Sequence, residues 1–282
     1  MNRSIGASGK AAAHEVASWV PPVARVGYAA KGVVYLLVAW LAIKAGMASG
    51  QAGGASEGLA SLTDETGGSW MLVAIAAGLL AHVIWRLVQA LLDPEHSHTD
   101  AKRIAMRIFY ALSGVIYGTL AYTAWKLSQG MGGGQGRSAG AAGAGSGNGQ
   151  EAWIQRLLEQ PFGSWLVMAA GLGIIAFGIH QLVKAFRGDV NRRMGYGEAI
   201  DRRWLTLLGR IGIAARGVVM VPVGWFVFRA GRIYRAEAAA DTGEVLSMLG
   251  DGPMLTAVGV GLFAYGLHQI AKAVYRRIER PD

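Results

Sequence analysis

The chain has 282 residues, 52% hydrophobic and only 16% charged, with a mean hydropathy of +0.32. That balance points to lipid as the solvent for most of the chain. The absence of cysteine excludes disulfides, thiolate metal sites and cysteine nucleophiles, and the formal net charge of +9 needs no nucleic acid to explain it, because the placement of the basic residues accounts for it.

Six apolar stretches follow one another: Val26 to Ile43, Ser69 to Leu92, Ile104 to Trp125, Gly163 to Phe186, Ile211 to Phe228 and Pro253 to Val274. Each is near the ~20 residues that cross a hydrocarbon core as a helix, and none contains Asp or Glu. The first ends in Lys44 without a small-residue cleavage site, so it reads as a retained span and not a signal peptide.

The odd-numbered stretches repeat one pattern. Arg25, Tyr28, Lys31, Gly32 and Tyr35 correspond to Arg107, Tyr110, Ser113, Gly114 and Tyr117, and to Arg210, Ile213, Arg216, Gly217 and Met220. Each copy meets a basic residue nineteen positions after its opening Arg, at Lys44, Lys126 and Arg229. The even stretches repeat another. Gly173, Phe177, His180 and Lys184 match Gly261, Tyr265, His268 and Lys272, and, more loosely, Gly78, His82, Trp85 and Gln89.

Three two-helix repeats therefore predict an all-α membrane protein of six transmembrane helices. The repeats are parallel and form a pseudo-threefold bundle. The organisation is a cytoplasmic tail over 1–24, repeat 1 over 25–93, a linker over 94–106, repeat 2 over 107–189, a basic linker over 190–209 and repeat 3 over 210–280. Within repeat 2, residues 130–149 are nearly all Gly, Ala, Ser, Gln and Asn, and read as a flexible external loop. Short amphipathic segments at Ala152 to Glu159, around Leu59 and Leu62, and around Val245, Leu246 and Leu249 are expected to cover the outer ends of the bundle.

Alternating assignment of the segments puts 18 Lys and Arg on the side of the N-terminus and 7 on the other, with acidic residues divided 9 and 9. The basic residues set orientation, so both termini are expected in the cytoplasm of a bacterium, and the protein in its cytoplasmic membrane. Gly32, Gly114 and Gly217, with Gly78, Gly173 and Gly261, are expected at close helix contacts, since association in lipid depends on packing. Val38 is expected to face lipid. Pro222 is expected to kink the fifth span, as a packing feature.

Arg25, Lys31, Arg86, Arg107, His180, Lys184, Arg210, Arg216, His268 and Lys272 lie toward the cytoplasmic ends. They form a candidate cationic vestibule for an anionic lipid head group or a small anionic solute. Each has a plainer reading: Lys31 and Arg216 can snorkel, the opening arginines can anchor helix ends, and the histidines can reach water or a carbonyl. The Asp93 to Asp100 segment gathers oxygen and imidazole groups but lacks clear ligand geometry, so no metal and no cofactor are expected. No nucleophile, base and orienter set assembles, so the chain does not read as an enzyme.

On the segment Arg25 to Tyr35, on Trp85-Arg86-Leu-Val-Gln89-Ala90, and on the twin Gly-x-His-Gln-x-x-Lys-Ala segments at Gly178 and Gly266, the chain resembles a bacterial membrane family catalogued as domain of unknown function 1206. The resemblance implies six helices in three repeats and supplies no activity. The expected role is non-enzymatic: structural, lipid-binding or accessory, with membrane lipids, anionic ones included, as partners and no nucleic acid. The alternative is a passive or exchange-type carrier for a small anionic solute. A carrier requires a water-accessible axis; a scaffold requires a filled one.

Overall fold

The computed structural model describes residues 3–48, 52–92, 100–130, 154–187, 190, 202–240, 242–250 and 252–275. The Gly-rich stretch 131–149 and the segment 93–99 lie outside the described residues. Among the described residues there is no strand. The helices are α1 (Arg3–Ala48), α2 (Ala55–Ala60), α3 (Gly68–Leu92), α4 (Asp100–Ser128), a short α5 (154–158), α6 (Gly163–Arg187), α7 (Arg202–Ile233), α8 (Thr242–Ser247) and α9 (Pro253–Tyr275).

Among the described residues five helices are long and apolar enough to cross a membrane: Pro21–Met47, Gly68–Leu91, Gly163–Arg187, Arg203–Ile233 and Pro253–Tyr275. Their length and composition are those of a multi-pass membrane protein. The sixth expected span, Ile104 to Trp125, forms a helix but is not among them. Its apolar residues are diluted by Tyr110, Ser113, Tyr117, Thr119, Tyr122 and Thr123. Two of these hydroxyls are satisfied inside the helix, Thr119 donating to the Ile116 carbonyl at 2.8 Å and Thr123 to that of Thr119 at 3.0 Å. Three helices also start earlier than their expected spans. Residues 3–24, assigned to a tail, continue α1 through Pro21 and Pro22, while α4 begins at Asp100 and α7 at Arg202, inside the expected linkers.

Packing follows the order α4, α3, α1, α9, α7, α6, each helix lying against the next. The most extensive contacts join the odd helix of one repeat to the even helix of another: α6 with α7, α1 with α9 and α3 with α4. Glycine makes two of these crossings close. A Cβ on Gly32 would lie 2.9 Å from the Gly266 carbonyl and 2.6 Å from Ile270 Cγ1; one on Gly217 would lie 2.9 Å from the Gly178 carbonyl and 3.0 Å from Leu182 Cγ. In the third crossing Val83 stands where the others have Gly266 and Gly178. A Cβ on Gly114 accordingly meets Arg86 Cβ at 3.6 Å and Leu87 Cδ2 at 3.9 Å, both ordinary contacts, so the tight packing expected of Gly114 is not found.

Within repeats 1 and 3 a second set of small residues joins the two helices. Gly27 brings α1 onto the backbone of His82, where a Cβ would lie 2.6 Å from the His82 Cα, and Gly212 does the same for α7 at Tyr265. One turn on, Gly78 faces Ala30, and Gly261 faces Ala215. Repeat 2 carries Phe109 in place of this Gly and Leu112 in place of this Ala. Helices α4 and α6 make no extended contact. Phe109 instead meets Phe177 with ring centroids 5.1 Å apart. Gly173 is expected at a close helix contact, but a Cβ added to it would meet nothing within 4 Å, because its opposite small residue is replaced by Leu112.

The outer helices α2, α5 and α8 sit at the end of the bundle opposite the opening arginines. They bury Leu59, Leu158 and Leu246, with Ile154 and Val245 beside them. The outer surface is apolar, with Trp40, Trp70, Trp165 and Trp225 more than half exposed, as expected of side chains that meet lipid or its interface. Val38, expected on that surface, is buried in the core, because α1 packs on both α3 and α9. Helix α7 runs unbroken through Pro222.

These contacts predict a graded response to enlarging glycines. Gly32→Leu and Gly217→Leu should each lower stability by about 1–3 kcal/mol through overpacking, with Gly114→Leu costing less and Gly173→Leu close to neutral. Thermal unfolding of the purified protein in detergent measures the ranking.

Candidate functional site

Two of the opening arginines act at helix ends. Arg107 donates from Nε to the Ala90 carbonyl at 2.5 Å and from Nη2 to that of Leu91 at 3.0 Å. Arg210 repeats this at the end of α6, reaching the Ala185 carbonyl at 2.9 Å and the Phe186 carbonyl at 3.3 Å. The last carbonyls of a helix have no partners in the helix and carry its negative dipole end, so a guanidinium fork satisfies both needs. Arg107 and Arg210 are thereby engaged away from the bundle interior, while Arg25 is exposed. A shallow groove lined by Arg203, Thr206, Leu207 and Arg210 lies on the same surface.

Deeper in the bundle, two cations from different repeats meet. Lys31 is only 4% exposed, and its ammonium lies 4.8 Å from the ring centroid of Tyr117 and 6.0 Å from that of Tyr35. Arg216 donates from Nε to the Tyr35 hydroxyl at 2.9 Å. Its guanidinium carbon lies 4.9 Å from the Phe177 centroid, 5.3 Å from that of Tyr265 and 5.7 Å from that of Tyr35. Both charges thus lie within 6.0 Å of one ring, Tyr35. Ridge spacing explains the meeting: Lys31 and Arg216 occupy the same position of their repeats, and that position faces the interior.

Aromatic contacts close the space around them. Tyr35 meets Tyr265 edge-on at 4.6 Å, and His82 meets Tyr117 edge-on at 4.7 Å. Gln269 donates to the Tyr265 hydroxyl at 2.9 Å. Arg86 stacks 5.3 Å from Tyr110 and donates to Gln89 at 3.0 Å, while its buried Nε has no hydrogen-bond partner among the described residues. None of the membrane-crossing helices contributes an Asp or Glu to this region.

The equivalent residues Trp85, His180 and His268 have different surroundings. Trp85 is buried with Ala24, Tyr28 and Ala273. His268 is fully buried against Gly209, and neither ring nitrogen has a hydrogen-bond partner among the described residues. His180 is exposed, because its side of α6 faces the open α4–α6 junction. Lys184 and Lys272 are half-buried. The expected ten-residue vestibule therefore divides: Lys31, Arg216 and Arg86 lie among rings, Arg107 and Arg210 bind helix ends, His268 is buried, Lys184 and Lys272 are half-buried, and Arg25 and His180 are exposed. Among the described residues no group of His, Asp and Glu has the arrangement of a metal site.

The tyrosines of this site were visible in the sequence only as packing stripes. Their role around the cations follows from the way α1, α4 and α9 converge. A signal existed: Tyr35 and Tyr117 lie four residues after Lys31 and Ser113, on the same helix face.

The sequence model of the family described as Domain of Unknown Function (DUF1206) matches residues 26–93, 108–188 and 211–276, one match for each internal repeat. The chain belongs to this family. It is also similar to a Bacillus subtilis (strain 168) protein titled "Uncharacterized protein YxxB", with 27% identity over 271 residues that cover 94% of each chain. No solved structure matches. In this DUF1206 protein, replacing Arg210 by Ala should lower stability by about 1 kcal/mol. Lys should recover only part of this, since it lacks the two-pronged geometry. Melting temperatures of the three forms in detergent measure the difference.

Proposed function

We propose that this DUF1206 protein is a non-enzymatic, six-span protein of the bacterial cytoplasmic membrane that binds an anionic phospholipid, whose phosphate is drawn to Lys31 and Arg216. The observation that carries this reading is the meeting of two cations over Tyr35, to which the membrane-crossing helices bring no Asp or Glu. A charged side chain at the centre of a span costs about 2.5–3.5 kcal/mol on insertion scales. Cation–π contact returns about 2 kcal/mol at a desolvated site, and two like charges also repel. An anion offsets both costs at once. Membrane phospholipid is the anion source within reach of every face of the bundle.

The arrangement we favour is three parallel repeats about an approximate threefold axis, with repeats over 25–93, 107–189 and 210–280. The repeated Gly32–Gly266 and Gly217–Gly178 crossings support it. α4 then serves as the third span despite its lower hydropathy. The edge-on contacts of Tyr35 with Tyr265 and of His82 with Tyr117 fill the interior at this level. They support lipid binding over carriage of a small anionic solute.

Two experiments test the proposal. The Lys31→Gln, Arg216→Gln double variant should lose most phosphatidylglycerol retained in native mass spectrometry while keeping phosphatidylethanolamine; unchanged retention of phosphatidylglycerol removes the reading. Cytoplasmic termini follow from the 18 to 7 division of basic residues. In the Cys-free chain, Ser146→Cys should be labelled by an impermeant thiol reagent added outside intact cells. Labelling only after the cytoplasmic side is made accessible inverts the topology.

A further inference from the structure

Among the described residues the junction between α4 and α6 does not close, and it has a defined chemistry from end to end. Toward the middle of the bundle it is bordered by Leu112, half exposed, and by Gly173, above which there is open space. Phe109 and Phe177 span it farther along. Beyond them, on the same face of α6, come His180 and Lys184, at spacings of four, three and four residues from Gly173 through Phe177. His180 is exposed. This face is therefore apolar in its inner half and basic at the end that holds the opening arginines.

Phe177 connects this face to the interior. One side of its surroundings is Phe109 in the junction; the other is the Arg216 guanidinium, 4.9 Å from its ring centroid. Of the five junctions that close, four do so through small residues. Two use Gly27 and Ala30 or Gly212 and Ala215 within a repeat, and two use Gly32 or Gly217 between repeats. Phe109 and Leu112 keep α4 and α6 from following that pattern.

We propose that the α4–α6 junction is the lateral entry and seat of a single anionic phospholipid, an inference that rests on the anion-binding reading of Lys31 and Arg216. An acyl chain lies over Gly173 and Leu112, the phosphate is held at the level of His180 and Lys184, and Arg216 draws it inward past Phe177. The amphiphile matches the junction in order as well as in charge: apolar length toward the bilayer centre and a negative group toward its basic edge. A soluble anion has no use for the apolar half. The ligand therefore arrives from the bilayer and not from water.

Loading of the full-length protein in nanodiscs with isotope-labelled phosphatidylglycerol, followed in time by native mass spectrometry, tests this. Gly173→Trp fills the open space and should slow loading at least tenfold. The Phe109→Gly, Leu112→Ala double variant restores the closing residues of the other repeats and should slow it similarly. Unchanged loading in both, at wild-type melting temperature, overturns the entry route while leaving a charge-dependent site intact if Lys31→Gln, Arg216→Gln still abolishes retention. Full retention in that charge variant instead removes the reading beneath it. Displacement of the lipid by millimolar inorganic phosphate, at the same rate in the wild type and Gly173→Trp, shows access from water and overturns the commitment to a lipid.

Discussion

Helices in lipid gain little from hiding apolar surface from one another, so their backbones must come close for van der Waals contact to hold them. The rest of this structure depends on where the sequence allows that approach. Gly32 over Gly266 and Gly217 over Gly178 bring different repeats together, and Gly27 and Gly212 bring the two helices of one repeat onto His82 and Tyr265. A leucine or phenylalanine at any of these points would need several ångströms that a close-packed bundle does not have. Glycine is otherwise a poor helix residue, by roughly 1 kcal/mol, and its recurrence at equivalent positions reflects the contacts it permits.

The same approach determines the electrostatics. Because α1 and α9 cross at Gly32, Tyr35 and Tyr265 meet edge-on, and their ring faces are presented to Arg216 from α7. Lys31, on the same helix as Tyr35, is carried into the interior with it and lies on Tyr117 from α4. Two positive charges are thus placed by packing that has nothing to do with charge. Aromatic faces and one tyrosine hydroxyl accommodate them in part. These spans hold no Asp or Glu to stand beside the two charges, and the anion site we propose rests on that.

Departure from repetition matters as much as repetition. Phe109 and Leu112 in repeat 2 leave α4 and α6 apart, and three observations agree on this: open space at Gly173, exposure of His180, and the bridging of Phe109 to Phe177. His268, at the position equivalent to His180, is buried because Gly209 lets α7 cover it. A symmetric alignment alone assigns the two histidines one role. The structure gives them different ones.

The sequence by itself determined that the chain is helical, that it belongs in a membrane, and that it repeats one two-helix unit. Hydropathy and periodicity are local properties, and the recurring Arg, Gly and Lys positions can be compared along one chain without knowing their neighbours. It also exposed the amphipathic segments whose Leu59, Leu158 and Leu246 are buried at the bundle end. Only the tertiary structure decided which helices pair, because close approach depends on the residue opposite each glycine, and Gly114 fails where Val83 replaces a second glycine. It alone also separated Arg107 and Arg210, which bind helix-end carbonyls, from Lys31 and Arg216, which meet over a shared ring. All four are basic residues on odd helices; their chemistry differs because a side chain's partners come from other helices, and the order in which those helices pack is a property of the whole bundle.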